Sequence, residues 1–147
     1  MTTLTAQTTQ LYSIVIKATP EQVWDAITKP EFTQKFFYGQ RVENTPERHL
    51  WHNENGALII DSPTFEFDPP HKLVHGWSSA YDPEMEAEAE SRVTWEIEPQ
   101  DGGLTKLTVV HDQLEGAPKT AESVAGGWMF VLSGLKTLLE TGEPLVG

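Results

Sequence analysis

One stretch decides what this chain can become. Residues 119 to 141 carry a long run with a period of 3.6, set among segments that alternate with a period of two. Val124, Trp128, Val131, Leu132, Leu135, Leu138 and Leu139 fall within an arc of about 120°, the apolar face of one helix about 34 Å long. Gly142, with Pro144 beyond it, supplies the stop. A lone amphipathic helix among half-buried strands buries its stripe only against their sheet, so the sheet has to wrap around it. Yet this helix contains Gly126, Gly127 and Gly134, each costing roughly 1 kcal/mol relative to alanine. Gly127 and Gly134 stand seven residues apart on one flank of the arc, which predicts close backbone approach by strands or short helices.

The rest of the chain provides those partners. LYSIVIKA (11–18) alternates as a strand, with Tyr12, Ile14 and Ile16 on one parity. In TPEQVWDAITKPEF, Thr19 is a natural N-cap, Pro20 fits the first helical position and Gln22 can close a capping box, while Val23, Trp24 and Ile27 form the stripe. Pro30 ends that helix, and PEFTQKFF predicts a second short one that turns Phe36 and Phe37 inward. QRVEN, ERHLWH and GALIIDSPTFEFD read as strands, with Asn55-Gly56 signalling a type I′ hairpin turn. HKLVHGWSSAY (71–81) follows as a strand with Leu73, His75 and Trp77 on one face. SRVTWEIEP and LTKLTVVHD, joined by QDGG, make a long hairpin with Val93, Trp95, Ile97, Leu107, Val109 and His111 inward. The acidic DPEMEAEAE (82–90) lacks an apolar stripe and reads as a solvated loop. The expectation is a flexible tail over 1–10 and a single α+β domain over 11–147, in which a curved antiparallel sheet of six or seven strands wraps the C-terminal helix.

Charge and composition remove whole classes of function. With 22 acidic residues against 10 basic, the net charge of −12 repels phosphate backbones and anionic headgroups, so neither nucleic acid nor a membrane surface is expected as a partner. There is no cysteine, hence no disulfide, thiolate nucleophile or cysteine metal site. The start MTTLTAQTTQ has no basic, apolar signal pattern and no segment approaches a membrane span, which points to the cytoplasm. His49 with His52, and His71 with His75, lie on strands or loops where such spacings make poor ligand pairs, so no metal is expected. No phosphate cradle, nucleophile elbow or other cofactor motif is present, and no catalytic residue is assigned.

IVIKATPEQVWDAITKPE (14–31), followed about a hundred residues later by GGWMFVLSGLKTLLETGEP (126–144), resembles the Hsp90 ATPase activator-like branch of the START/Bet v 1-like superfamily. The resemblance spans nearly the whole chain. It implies a helix-grip fold, an incomplete antiparallel barrel gripping the last helix, with a cavity between helix and sheet that holds an apolar ligand in many relatives. Others in the superfamily are cyclases or Hsp90-stimulating domains.

Three functions follow as expectations. The first is binding of a small apolar or aromatic molecule between helix and sheet by Phe36, Phe37, His75, Trp77, Trp95, His111, Trp128 and Leu132, with the imidazoles as polar handles. The second, implied by the resemblance, is a protein-interaction module with a chaperone as partner, docking through the acidic 82–90 surface. The third is a cyclase- or dehydratase-type enzyme with His75 or His111 as proton shuttle, a role that requires an imidazole facing open space. Met129 and Phe130 fall outside the helix's apolar arc and suit contact with another element or a second copy of the chain.

Overall fold

The computed structural model describes residues 8–37, 39–78 and 82–145. Most of the expected tail, residues 1–7, and the end of the 71–81 strand, residues 79–81, lie outside the described residues. The elements run β1 (Gln10–Ile16), α1 (Pro20–Thr28), α2 (Pro30–Thr33), β2 (Arg41–Asn44), β3 (Arg48–His52), β4 (Leu58–Asp68), β5 (Lys72–Trp77), α3 (Pro83–Glu86), β6 (Ser91–Gln100), β7 (Leu104–Asp112) and α4 (Pro118–Thr141). The seven strands form one sheet in the order β1-β7-β6-β5-β4-β3-β2, and every neighbouring pair is antiparallel. Register shifts between Trp51 and His52 and between Thr64 and Glu66 bend β3 and β4. This is the α+β helix-grip arrangement.

Local signals explain the elements. Thr19 caps α1 in a complete capping box with Gln22, and Val23, Trp24 and Ile27 are buried. α4 ends on Gly142 at φ 80°, a left-handed C-cap. Its side chains Val124, Trp128, Val131, Leu132, Leu135 and Leu138 enter the main core with Ile16, Leu73, Val93, Trp95, Leu107 and Val109, while Leu139 is only half-buried. At Gly134 a Cβ would lie 3.1 Å from Phe36 Cβ, so the glycine lets the segment after α2 sit against the helix. That is the predicted close approach. Gly126 faces open space, and Gly127 lines the pocket described below.

Both edges of the sheet are covered. Along β1, Gln10 Nε2 and Tyr12 Oη donate to the Ala121 and Ala125 carbonyls at 2.8 and 3.2 Å, Lys136 Nζ donates to Val15 O at 2.6 Å, and Lys17 N donates to Glu140 Oε2 at 2.8 Å. The paired positions rise together, so β1 and α4 run in the same direction. At the other edge the Thr33 hydroxyl accepts from Val42 N at 2.8 Å and donates to Val42 O at 2.9 Å. An edge strand's free backbone groups are a template for pairing with other chains, and here those of Val15 (C=O), Lys17 (N–H) and Val42 (both) are occupied.

Four expectations need correction. Gln10 is not tail: it opens β1 and is buried, because its amide holds Ala121. Asn55-Gly56 is not a type I′ turn. The hairpin loop is longer, with Gly56 N donating to Asn53 O and Asn53 N to Ala57 O, and only Gly56 takes a positive φ. The 71–81 strand ends as β-structure at Trp77. Finally, 82–90 is solvent-exposed as expected but is not an unattached loop: it contains α3 and docks on the start of α4, as the Glu88 carboxylate accepts from Lys119 N (2.8 Å), Thr120 N (2.9 Å) and Thr120 Oγ1 (2.8 Å). The N-cap residue of α4, Ala117, makes no side-chain cap, so a carboxylate about thirty residues earlier does the capping. Lys119 adds an ion pair with Glu84.

Candidate functional site

The inward faces of β3 and β5, the first half of α4 and the segment after α2 bring four rings together. Phe37 meets Trp51 edge-on at a centroid distance of 5.3 Å, Trp51 meets Trp77 at 5.4 Å, Trp77 meets Trp128 at 5.6 Å, and Trp128 meets Phe37 at 6.5 Å. Period two puts Trp51 and Trp77 on the inner face of the sheet, and period 3.6 puts Trp128 on the helix stripe. Beside this box lies a half-open pocket of about 640 Å³ between α4 and the sheet. Its walls are Phe37, Trp51, Ile59, Trp77, Val124, Gly127, Trp128 and Val131, and its polar members are Gln40, Asn53 and Ser123.

Of the residues singled out from the sequence, Phe37, Trp77 and Trp128 line this pocket. Phe36, His75, Trp95, His111 and Leu132 are buried in the layer behind or beside it. Trp51 was missed among the lining residues although ERHLWH places it on a strand, where the alternation that buries His49 and Trp51 was the signal that could have found it. Gln40, Asn53 and Ser123 belong to loops or a helix surface and gave no periodic signal.

The histidines are held by indoles. Trp95 Nε1 donates to His75 Nε2 at 3.0 Å, which leaves Nδ1 as the protonated nitrogen, donating to Gly76 O at 2.7 Å. Trp128 Nε1 donates to His111 Nδ1 at 3.1 Å, so His111 Nε2–H donates to Ser91 Oγ at 2.7 Å. Both rings are therefore neutral, and their tautomers are set by donors that cannot accept. Burial pushes His75 down to about 4, partly opposed by the Gly76 carbonyl. Burial, followed by the proximity of His75, pushes His111 down to about 3, with Asp112 opposing. His49 stacks on His75 at 3.8 Å and is likewise driven well below its ordinary value, first by burial and then by His75. Its Nδ1 pairs with Asn44 Oδ1 at 2.7 Å, while Nε2 is buried without a partner, as are Ser62 Oγ and Thr64 Oγ1.

The arrangement makes His75 and His111 positioning residues for Trp95 and Trp128. Neither has a ring nitrogen left to exchange a proton with a bound molecule, and neither lines the pocket. Among the described residues no group of three or more His, Asp or Glu side chains is placed to hold a metal ion. No helix among them is long and apolar enough to cross a membrane.

Residues 17–140 match the sequence model of a family described as activator of Hsp90 ATPase homolog 1-like protein. No protein of curated function matches the sequence. Among solved structures, an HSP90 activator from Plasmodium falciparum superposes with a TM-score of 0.73 at 20% identity, over 90% of this chain and 96% of that one. The protein MLL2253 from Mesorhizobium loti gives 0.70 at 21% identity, over 89% and 96%. The protein CalU16 from Micromonospora echinospora gives 0.69 at 19% identity, over 94% and 77%. These likenesses establish the shared fold.

Proposed function

The chain belongs to the family of activator of Hsp90 ATPase homolog 1-like proteins, and from that premise we propose that it binds a small apolar or aromatic molecule between α4 and the sheet. The observation that carries this reading is the pocket of about 640 Å³ walled by Phe37, Trp51, Trp77 and Trp128. That volume lies within the range of small-molecule sites, and a mostly apolar wall with a few convergent polar groups is their usual chemistry. Flat molecules gain both buried area and edge-to-face contacts against such rings. The test is native mass spectrometry of the freshly purified protein against its denatured mass, followed by addition of a panel of neutral aromatic and aliphatic compounds. A discrete adduct lost on denaturation, or uptake of panel members at one per chain, is expected. A protein that arrives bare and takes up nothing overturns the reading.

A second reading, an interaction with a chaperone, is favoured by the family and by the fold shared with the Plasmodium falciparum HSP90 activator. In this reading the exposed acidic 82–90 segment is held against the start of α4 by Glu84 and Glu88 and offers its remaining carboxylates, Glu86 and Glu90, on the outside. Its test is the ATPase rate of Hsp90 with and without the protein: stimulation is expected, and an unchanged rate removes it.

A further inference from the structure

The polar members of the pocket carry a direction. Gln40 Oε1 accepts from Trp51 Nε1 at 2.9 Å. An indole nitrogen only donates, so the amide is fixed with its oxygen toward Trp51 and its Nε2 group is the end left over. Asn53 Oδ1 accepts from two backbone amides, Asn55 N at 2.9 Å and Ala57 N at 3.0 Å. Backbone N–H groups also only donate, so Asn53 is fixed with Nδ2 left over. Asn53 Oδ1 has thus filled both its acceptor positions inside the protein and Gln40 Oε1 one of its two, while the amide N–H₂ groups of both residues, which line one pocket, have no partner among the described residues. Two of the walls turn their polar atoms away, the indole N–H of Trp51 toward Gln40 and that of Trp128 toward His111, and the third polar member, Ser123, adds a hydroxyl that can donate as well as accept. No ionisable side chain is among the described lining residues.

We infer that the pocket selects uncharged, flat aromatic molecules carrying a carbonyl-type hydrogen-bond acceptor, read by Gln40 Nε2 and Asn53 Nδ2. This rests on the ligand-binding reading above and adds the polarity of the ligand to it. An acceptor oxygen satisfies two donors that an apolar molecule would bury unpaired, a loss larger than the gain of an average bond. A carboxylate would have to enter with no cation among the described lining residues and against a net charge of −12. A cation would find aromatic faces but would meet the two amide N–H groups positive end to positive end.

Four probes of one shape separate these cases in isothermal titration: 2-acetonaphthone, 2-isopropenylnaphthalene (the same skeleton with CH₂ in place of the oxygen), 2-naphthoate and 2-naphthyltrimethylammonium. The ketone is expected to bind roughly five- to tenfold more tightly than the isopropenyl compound, the factor that one net hydrogen bond supplies, and more tightly than either ion. Gln40→Glu keeps an acceptor for Trp51 but replaces one of the two donors, and should lower the ketone-to-hydrocarbon ratio. Equal binding of ketone and isopropenyl compound by the unaltered protein, or tightest binding of either ion, overturns the inference while the pocket reading stands. Binding of none of the four overturns both.

Discussion

Three buried histidines make this core sensitive to acid. An imidazole in the unfolded chain titrates near its ordinary value of 6.5, while in the fold His75 and His111 titrate at about 4 and about 3, and His49 is also lowered. Between those limits the unfolded chain binds more protons, so the stability is complete above about pH 6.5 and falls as the pH drops toward the folded values, by on the order of 1 kcal/mol per pH unit for each ring. Glu140, held low by Lys136 and the Lys17 amide, and Glu88, where burial pushes up but the bonds from Lys119 and Thr120 outweigh it, lose their contributions only below the ordinary glutamate value of 4.5. The interval from pH 6.5 to 5 therefore isolates the histidines. Urea midpoints should decline across it; a flat profile would show that these rings are not held neutral. Burial is the main reason, and for His75 and His111 the geometry agrees with it, since Trp95 and Trp128 each place an N–H on an imidazole nitrogen that protonation would turn into a second donor.

At the scale of elements, α4 is weakened for packing and then capped from outside. Gly126→Ala adds a methyl where nothing lies within 4 Å and should raise stability by about 1 kcal/mol through helix propensity. Gly134→Ala gains the same propensity but forces its Cβ to 3.1 Å from Phe36 Cβ, so the net change should be zero or a loss. Paired thermal melts decide it: equal stabilisation by both substitutions would mean that the Phe36 segment after α2 yields freely. The Glu88 carboxylate serves as the cap that Ala117 lacks, and Glu88→Ala should cost about 0.5–2 kcal/mol, with exchange of the Lys119 and Thr120 amides accelerated. Unchanged exchange there would leave the 82–90 segment without this role.

For the molecule as a whole, the helix and the short N-terminal helices do more than fill the concave side of the sheet. α4 covers the β1 edge and Thr33 occupies both backbone groups of Val42 at the β2 edge, so an open seven-stranded sheet presents no free template at these points. Thr33→Val removes the hydroxyl but keeps the shape, leaving Val42 N–H and C=O buried without it. A loss of about 1–3 kcal/mol is expected, with a growing fraction of higher-mass species in light scattering. If Thr33→Val stays monodisperse and as stable as the parent, the edge is protected by something other than this hydroxyl. The same closure leaves space beside α4 next to Phe37, Trp51, Trp77 and Trp128, which is where the proposed ligand sits.

Element identity was readable from the chain because it depends on neighbours in sequence. Thr19 to Gln22 makes its own cap, Val93-Trp95-Ile97 alternates whatever packs on it, and Val124 through Leu138 repeats with the helical period. These signals determined the strands, the long helix and the need for the sheet to curl around it, and the two matching ends of the chain carried the fold. What they could not carry was any relation set by distance across the fold. Glu88 reaching Lys119, Thr33 reaching Val42, and Trp95 and Trp128 each claiming a histidine are decided by where the curled sheet brings separate elements together. The pocket belongs to this second kind. His75, Trp95 and His111 share the inward parity of Trp77, and only the tertiary structure separates the residues that face open space from those one layer behind, because a wall is defined by what its neighbours fail to fill.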